Sequence, residues 1–415
     1  MIDRLAAQGV LRANDRGGYT VPTDRLYPFQ WNWDSAFVAM GFATFDAPRA
    51  WAEIESLLRG EWDDGLIPQI VFHAPSDDYF PGPDVWGIER DPRTSGITQP
   101  PVLATAARKV LESAPGSGSE ARMAAIWPKL RDNHRWWARA RDPQGTGLVT
   151  TLHPWETGMD NSPAWDAALD RVPTTTRNAI RRRDTGHVDP AFRPRAIDYQ
   201  RFIHLVECFA DAGWDPAGML AASPLRVADV GTNAILLRAE RDLAALATRF
   251  GTPAERTEIE GRIARMAPAL ETLWQDGFYL SRDLISGAAI PVRTSAGFLP
   301  LFAGESPHEA ALAATLQAWA GMVRWLVPST DPAHPQFEPL RYWRGPVWAV
   351  VNWMIADGLR GNGHDALARR VEGDTLTLID AHGFSEYFDP TTGQGIGGAT
   401  FSWTAAIALL LEGTR

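Results

Sequence analysis

The stretch His153-Pro-Trp-Glu-Thr-Gly-Met-Asp160-Asn-Ser-Pro163 carries two carboxylates, Glu156 and Asp160, four residues apart. No helical or strand period of apolar residues runs through it, and Pro154, Gly158 and Pro163 interrupt any regular element. Trp155, Met159 and, just beyond, Trp165 would cost free energy if left in water. An irregular segment with such side chains reads as a loop lining a cleft, with Asp160 as a catalytic acid. The competing reading is a turn in which Asp160 and Asn161 only cap backbone amides.

Around this loop the chain is helical. Apolar residues recur at helical spacing over 33–45, 49–58, 99–111, 120–140, 199–212, 226–250, 254–275, 307–316, 347–358, 365–382 and 400–411. Pro48 before the second of these and Gly60 after it are the expected boundary residues. Two long stretches break the pattern, 61–97 and 141–198. The first is rich in Pro, Gly and Asp yet holds Trp62, Phe72, His73, Tyr79, Phe80 and Trp86, which argues for a functional loop and against disorder. Between 276 and 304 only Gly277-Phe-Tyr-Leu reads as a strand.

Helices that arrive in pairs, with short and long connections alternating, predict an all-α closed ring of helical hairpins. In such a barrel the long loops gather at one end, where they form the active site and a cap. An open solenoid would need a repeat of fixed length, and the sequence has none. No Gly/Ser or Pro-rich linker divides the chain, so residues 1–415 are expected to form a single catalytic domain, with 61–97 and 141–198 as insertions over the site.

Composition narrows the chemistry. The 18 Trp residues exceed the needs of a core and suggest indole faces stacked on sugar rings, although many must be core residues. A net charge of −10, with no basic run beyond Arg181–Arg183, excludes a nucleic-acid partner. Cys208, the one cysteine, lies in an apolar run; it reads as a buried small residue and fits a reducing compartment. The start, Met-Ile-Asp-Arg-Leu, is not that of a signal peptide, and no apolar segment is long enough to span a bilayer. The expectation is a cytoplasmic protein without a membrane partner.

The nine histidines fall in no metal-ligand spacing, and neither a phosphate-binding Gly loop nor a Gly-x-Ser-x-Gly elbow occurs. No metal and no cofactor are expected. Carboxylate chemistry remains, and four stretches combine aromatic with polar residues. They are Tyr27-Pro-Phe-Gln-Trp-Asn-Trp-Asp34, Trp155–Asp160, Leu340-Arg-Tyr-Trp-Arg-Gly-Pro-Val-Trp348 and Gly383-Phe-Ser-Glu386-Tyr-Phe-Asp-Pro-Thr-Thr-Gly393. Asp34 is either a first-turn helix acid or a ligand for a sugar hydroxyl. Two carboxylic acids on facing loops are what glycoside hydrolysis needs. One gives a proton to the leaving oxygen, and poorly hydrated surroundings raise its pKa; the other works ionised.

Taken together, Trp31-Asn-Trp-Asp34, Trp155-Glu-Thr-Gly-Met-Asp160-Asn-Ser, Tyr342-Trp-Arg-Gly-Pro-Val-Trp348 and Ser385-Glu386-Tyr-Phe-Asp-Pro-Thr-Thr-Gly393 resemble glycoside hydrolase family 63. Within it the likeness is to the short bacterial glucosylglycerate and mannosylglycerate hydrolases, and it runs from about Tyr27 to the C-terminus. The resemblance implies an (α/α)6 barrel that hydrolyses an α-glycosidic bond with inversion. By the same match Asp160 is the general acid and Glu386 the general base, while Glu156 is a supporting residue or a hydroxyl ligand. Tyr27, Trp31, Trp33, Asp34, Gln99, Trp155 and Trp348 are expected around the sugar. Arg193, with Tyr199, Tyr342 and Trp343, is expected to hold an anionic leaving group such as glycerate, and Tyr79 to belong to a lid. The alternatives are a trehalase-like or oligosaccharide-trimming α-glucosidase, and a carbohydrate-binding barrel without activity.

Overall fold

The segment Asn32–Ala43 is buried at every one of its 12 positions. A helix buried all round cannot lie on a surface, so this one belongs to the interior. Ala349–Gly361 and Ser402–Glu412 are similarly enclosed along most of their length. In the computed structural model, which describes residues 3–24 and 26–413, these helices are members of an inner ring. The ring runs Asn32–Ala43, Leu103–Ser113, Val230–Phe250, Pro300–Ala303, Ala349–Gly361, Ser402–Glu412, and the last packs against the first.

Outer helices cover this ring pairwise. Arg4–Ala13 lies on Ser402–Glu412, Ala47–Leu58 on Asn32–Ala43, Pro253–Glu271 on Val230–Phe250 and Asp365–His382 on Ala349–Gly361. Ser117–Trp136 packs on Leu103–Ser113 and Val230–Phe250. Glu309–Ala320 supports the fourth inner position, its Trp319 meeting Phe298 edge-on at 5.0 Å. Among the described residues, six inner and six outer helices make an (α/α)6 barrel. Inner neighbours approach closely: a Cβ on Gly41 would stand 2.6 Å from that of Ala406.

The expected helices are present, most with ends shifted by one to four residues. Two barrel helices, one outer and one inner, lie outside the expected set. Arg4–Ala13, capped by the Asp3 side chain, falls in the opening segment, and Pro300–Ala303 is one turn long, too short for a period to register. Cys208 is half-buried rather than buried.

The two long loops have a core of their own. Ile70–Phe72 pairs antiparallel with Gln30–Trp31 on one side and Arg93–Thr94 on the other. Above the ring, Phe29, Trp31, Phe72, Trp86, Trp155 and Trp165 pack with Phe202 and Phe209 of the Ala196–Asp211 helix. The loops thus form an ordered cap. Many of the indoles serve packing alone: Trp51, Trp86, Trp136, Trp137 and Trp319 are fully buried and line no part of the cavity under the cap. No helix among the described residues is long and apolar enough to cross a membrane.

Candidate active site

Local chain geometry places Asp160. Pro154–Thr157 forms a single 3-10 turn that His153 caps by accepting from the Trp155 amide. Gly158 then adopts φ +69, and a Cβ there would stand 2.4 Å from the Trp33 ring. Only glycine lets the backbone lie this close to the indole. The chain crosses that indole and delivers Asp160 to the cavity between cap and ring.

Glu156 takes the opposite direction. Arg141 donates to one of its oxygens at 2.5 Å and the Leu152 amide to the other at 2.9 Å. It is buried behind the cavity wall, and its role is to hold the loop through Arg141 of the π-turn Trp137–Arg141.

Glu386, just ahead of the Tyr387–Phe388 strand, sits in a dense set of donors. The Tyr27 hydroxyl donates to Oε1 at 3.0 Å and Arg193 Nη1 to Oε2 at 3.3 Å. Arg193 also donates to Tyr27 Oη at 2.6 Å and through Nε to Asp184 at 3.1 Å. The Tyr342 hydroxyl lies 3.1 Å from that of Tyr27, and the Arg193 guanidinium stacks 4.1 Å over the Tyr342 ring. By contrast, no other described residue hydrogen-bonds the side chain of Asp160 or Asp34.

These surroundings set the protonation. Burial pushes the Asp160 carboxyl up to about 7, with the Glu386 charge adding and the Arg193 charge opposing. Burial likewise raises Glu386 to about 7, against the pull of Arg193, Tyr27 and Tyr342. Asp34, in the first turn of the Asn32–Ala43 helix, is pushed well above the carboxylate range by burial, with the charges of Glu386 and Glu53 adding. Three carboxyls around one cavity cannot all ionise at neutral pH. Where two titrate together, the group with charged and hydroxyl donors loses its proton first. That group is Glu386.

The cavity, its open mouth included, holds about 530 Å³ of empty space. Tyr27, Trp31, Trp33, Asp34, Tyr79, Gln99, Trp155, Asp160, Arg193, Tyr199, Tyr342 and Glu386 all line it. Glu156, Trp343 and Trp348 do not. The two indoles stack face to face at 3.7 Å, and Trp348 stacks in turn on Tyr387 at 4.7 Å, so they buttress Tyr342 from behind. Pro22, Gln69, Gly158, Phe401 and Trp403 complete the lining and lie outside the residues expected from sequence. The pair of aromatics in Phe401-Ser-Trp403, ahead of an apolar run, is a usable signal; Gln69, in Ile67-Pro-Gln69-Ile, offers none. Gln99 accepts from the Trp33 amide at 3.3 Å, which leaves its NH₂ for a ligand. No cluster of three or more His, Cys, Asp or Glu among the described residues could hold a metal ion.

Comparison with known proteins identifies the relatives of this chain. Residues 27–404 match the model of the mannosylglycerate hydrolase MGH1-like glycoside hydrolase domain. A mannosylglycerate hydrolase of Thermus thermophilus is 52% identical over 98% of this chain and 99% of its own. A glucosylglycerate hydrolase of Mycolicibacterium hassiacum is 36% identical over 98% of this chain and 97% of its own. The crystal structure of a family 63 mannosylglycerate hydrolase from Thermus thermophilus, in complex with Tris and D-glycerate, matches with a TM-score of 0.96 at 51% identity. The match covers 99% of this chain and 100% of that one.

Proposed function

The chain belongs to the mannosylglycerate hydrolase MGH1-like glycoside hydrolases of family 63, and on that footing we propose that it hydrolyses mannosylglycerate or glucosylglycerate with inversion. Asp160 is the general acid and Glu386 the general base. The observation that carries this assignment is the asymmetry of donors: Glu386 accepts from Tyr27 and Arg193, while Asp160 stands without a partner among the described residues in a buried setting.

In the reaction, Glu386 takes a proton from a water molecule as its oxygen attacks the anomeric carbon. Asp160 gives its proton to the glycosidic oxygen, the C–O bond breaks, and sugar and glycerate separate. An inverting pair needs room for that water, a carboxyl separation of about 6.5–9.5 Å. Trp31, Trp33 and Trp155 offer ring faces to the sugar, and Asp34, Gln69 and Gln99 address its hydroxyls.

The glycerate carboxylate goes to Arg193. Arg193 lines the cavity while its guanidinium, with five N–H donors, is held by Asp184, Glu386 and Tyr27. A neutral leaving sugar would not call on a buried guanidinium, which sets the trehalase-like alternative behind. Ring and cap act as one catalytic unit, since both contribute walls to the same cavity. A lone half-buried thiol, Cys208, supports a reducing, cytoplasmic setting.

The test is to assay mannosylglycerate, glucosylglycerate and trehalose side by side and follow the product anomer by NMR. The expected result is release of glycerate with the β-anomer of the sugar appearing first. Hydrolysis of trehalose alone, or an α-anomer first, would overturn the reading.

A further inference from the structure

We propose that Asn161 is a positioning residue that fixes the general base through the backbone of Tyr342, and so ties together the two halves of the catalytic pair. The inference rests on Asp160 and Glu386 having the roles given above.

Tyr342 has φ +38, a left-handed conformation that an L-residue with a bulky side chain adopts only when its surroundings impose it. Two hydrogen bonds flank that residue. Trp348 Nε1 donates to the Tyr342 carbonyl at 3.2 Å, and the Trp343 amide donates to Asn161 Oδ1 at 2.9 Å. Arg344 returns the contact by donating to the Asn161 carbonyl at 3.3 Å, while two of its nitrogens hold Asp166 at 2.9 Å each. Two segments 182 residues apart in sequence are thus bonded twice, with Asn161 the acceptor each time.

The consequence is felt at the base. The Tyr342 hydroxyl meets that of Tyr27, which in turn donates to Glu386, and the Tyr342 ring carries the Arg193 guanidinium. If the peptide after Tyr342 loses its acceptor, the imposed conformation relaxes and the ring moves. Glu386 then loses support for its ionised form. The residue chemistry is specific: the side chain must reach the Trp343 amide, which a serine is too short to do. Only its oxygen is used, because Nδ2 has no partner among the described residues. An aspartate would keep the acceptor but set a second carboxyl beside Asp160.

The experiment is a double-mutant cycle with mannosylglycerate as substrate, reading kcat, KM, the pH profile and Tm of Asn161→Ala, Tyr342→Phe and the pair. Asn161→Ala should lower kcat by about 10- to 100-fold and move the ascending limb of kcat/KM to higher pH. In the Tyr342→Phe background the same change should cost no more than about threefold, since coupled residues are non-additive. Asn161→Asp, which keeps the acceptor, should recover most of the kcat lost in Asn161→Ala. Should Asn161→Ala fail to fold, Asn161→Ser carries the same expectations. Effects that multiply, or a lowered Tm with the limb unmoved, would reduce Asn161 to a structural residue. If the native protein hydrolyses none of the glycosides tested, the functional reading falls and this inference with it.

Discussion

Arg193 Nη1 lies 3.3 Å from Glu386 Oε2, so the cation proposed for the leaving group is bonded to the proposed base. Asp184 holds the same guanidinium at 3.1 Å and is itself gripped by Arg182. The charge of Arg193 therefore acts on both partners of the reaction. It opposes the burial that raises Glu386, and it attracts an anion.

Replacing Arg193 by Ala should show both effects. KM for mannosylglycerate rises, by about tenfold or more for a lost charge-assisted pair, while a neutral glycoside changes less. The ascending limb of kcat/KM moves to higher pH, because Glu386 loses the charge that favours its ionised form. Steady-state kinetics across pH check both; an unchanged KM for the anionic substrate would remove the glycerate site from Arg193.

The two acids are tested directly by Asp160→Asn and Glu386→Gln. Each should lower kcat by at least about 100-fold, the usual contribution of a general acid or base, with the circular-dichroism spectrum unchanged. Near-native turnover by either variant would dismiss that residue from its role.

The pH profile should be a narrow bell centred near neutrality. Burial puts Glu386 and Asp160 both up to about 7, so one proton is shared between them there. Activity rises as Glu386 loses its proton and falls as Asp160 loses its own. Tyr27→Phe removes a donor to Glu386 and should shift the rising side upward. A flat profile from pH 4 to 7 would contradict the assignment of Glu386.

Stability should move against activity. A carboxyl whose folded pKa is raised above its unfolded value stabilises the fold fully below the unfolded pKa, and that contribution is lost as pH rises through the folded one. For Asp160 the window runs from its ordinary value of 3.8 up to about 7. Asp160→Asn, which cannot ionise, should therefore raise Tm by about 2 °C or more at pH 8 and leave it unchanged at pH 4. Thermal melts at the two pH values decide it, and equal Tm shifts would refute it.

Gly158→Ala probes the loop beneath the acid. The added Cβ meets the Trp33 ring and φ +69 is strained for alanine. A displacement of about 1 Å in the acid suffices to lower kcat on the order of 100-fold, with KM for the sugar less affected. An active Gly158→Ala enzyme would show that the loop has slack.

Much of this was legible in sequence because each signal was local. Helical period marked most of the ring, and an acid between aromatic residues and chain breakers marked the loops that line the cavity. What escaped was set by long-range packing. Pro300–Ala303 becomes a ring helix only because its neighbours leave a one-turn gap. Glu156 resembles a catalytic acid until Arg141, reached through the π-turn, is seen to hold it. Trp343 and Trp348 belong to a motif whose front residue, Tyr342, faces the cavity while they brace it from behind. Gln69 carries no neighbouring pattern that separates it from any other loop glutamine.

The inner helices pack the space beneath the cavity with their own buried side chains. A long glycan cannot thread through such a chamber to offer one of its middle units. On the function proposed above, a terminal residue, or a molecule little larger than a disaccharide, suits such a chamber.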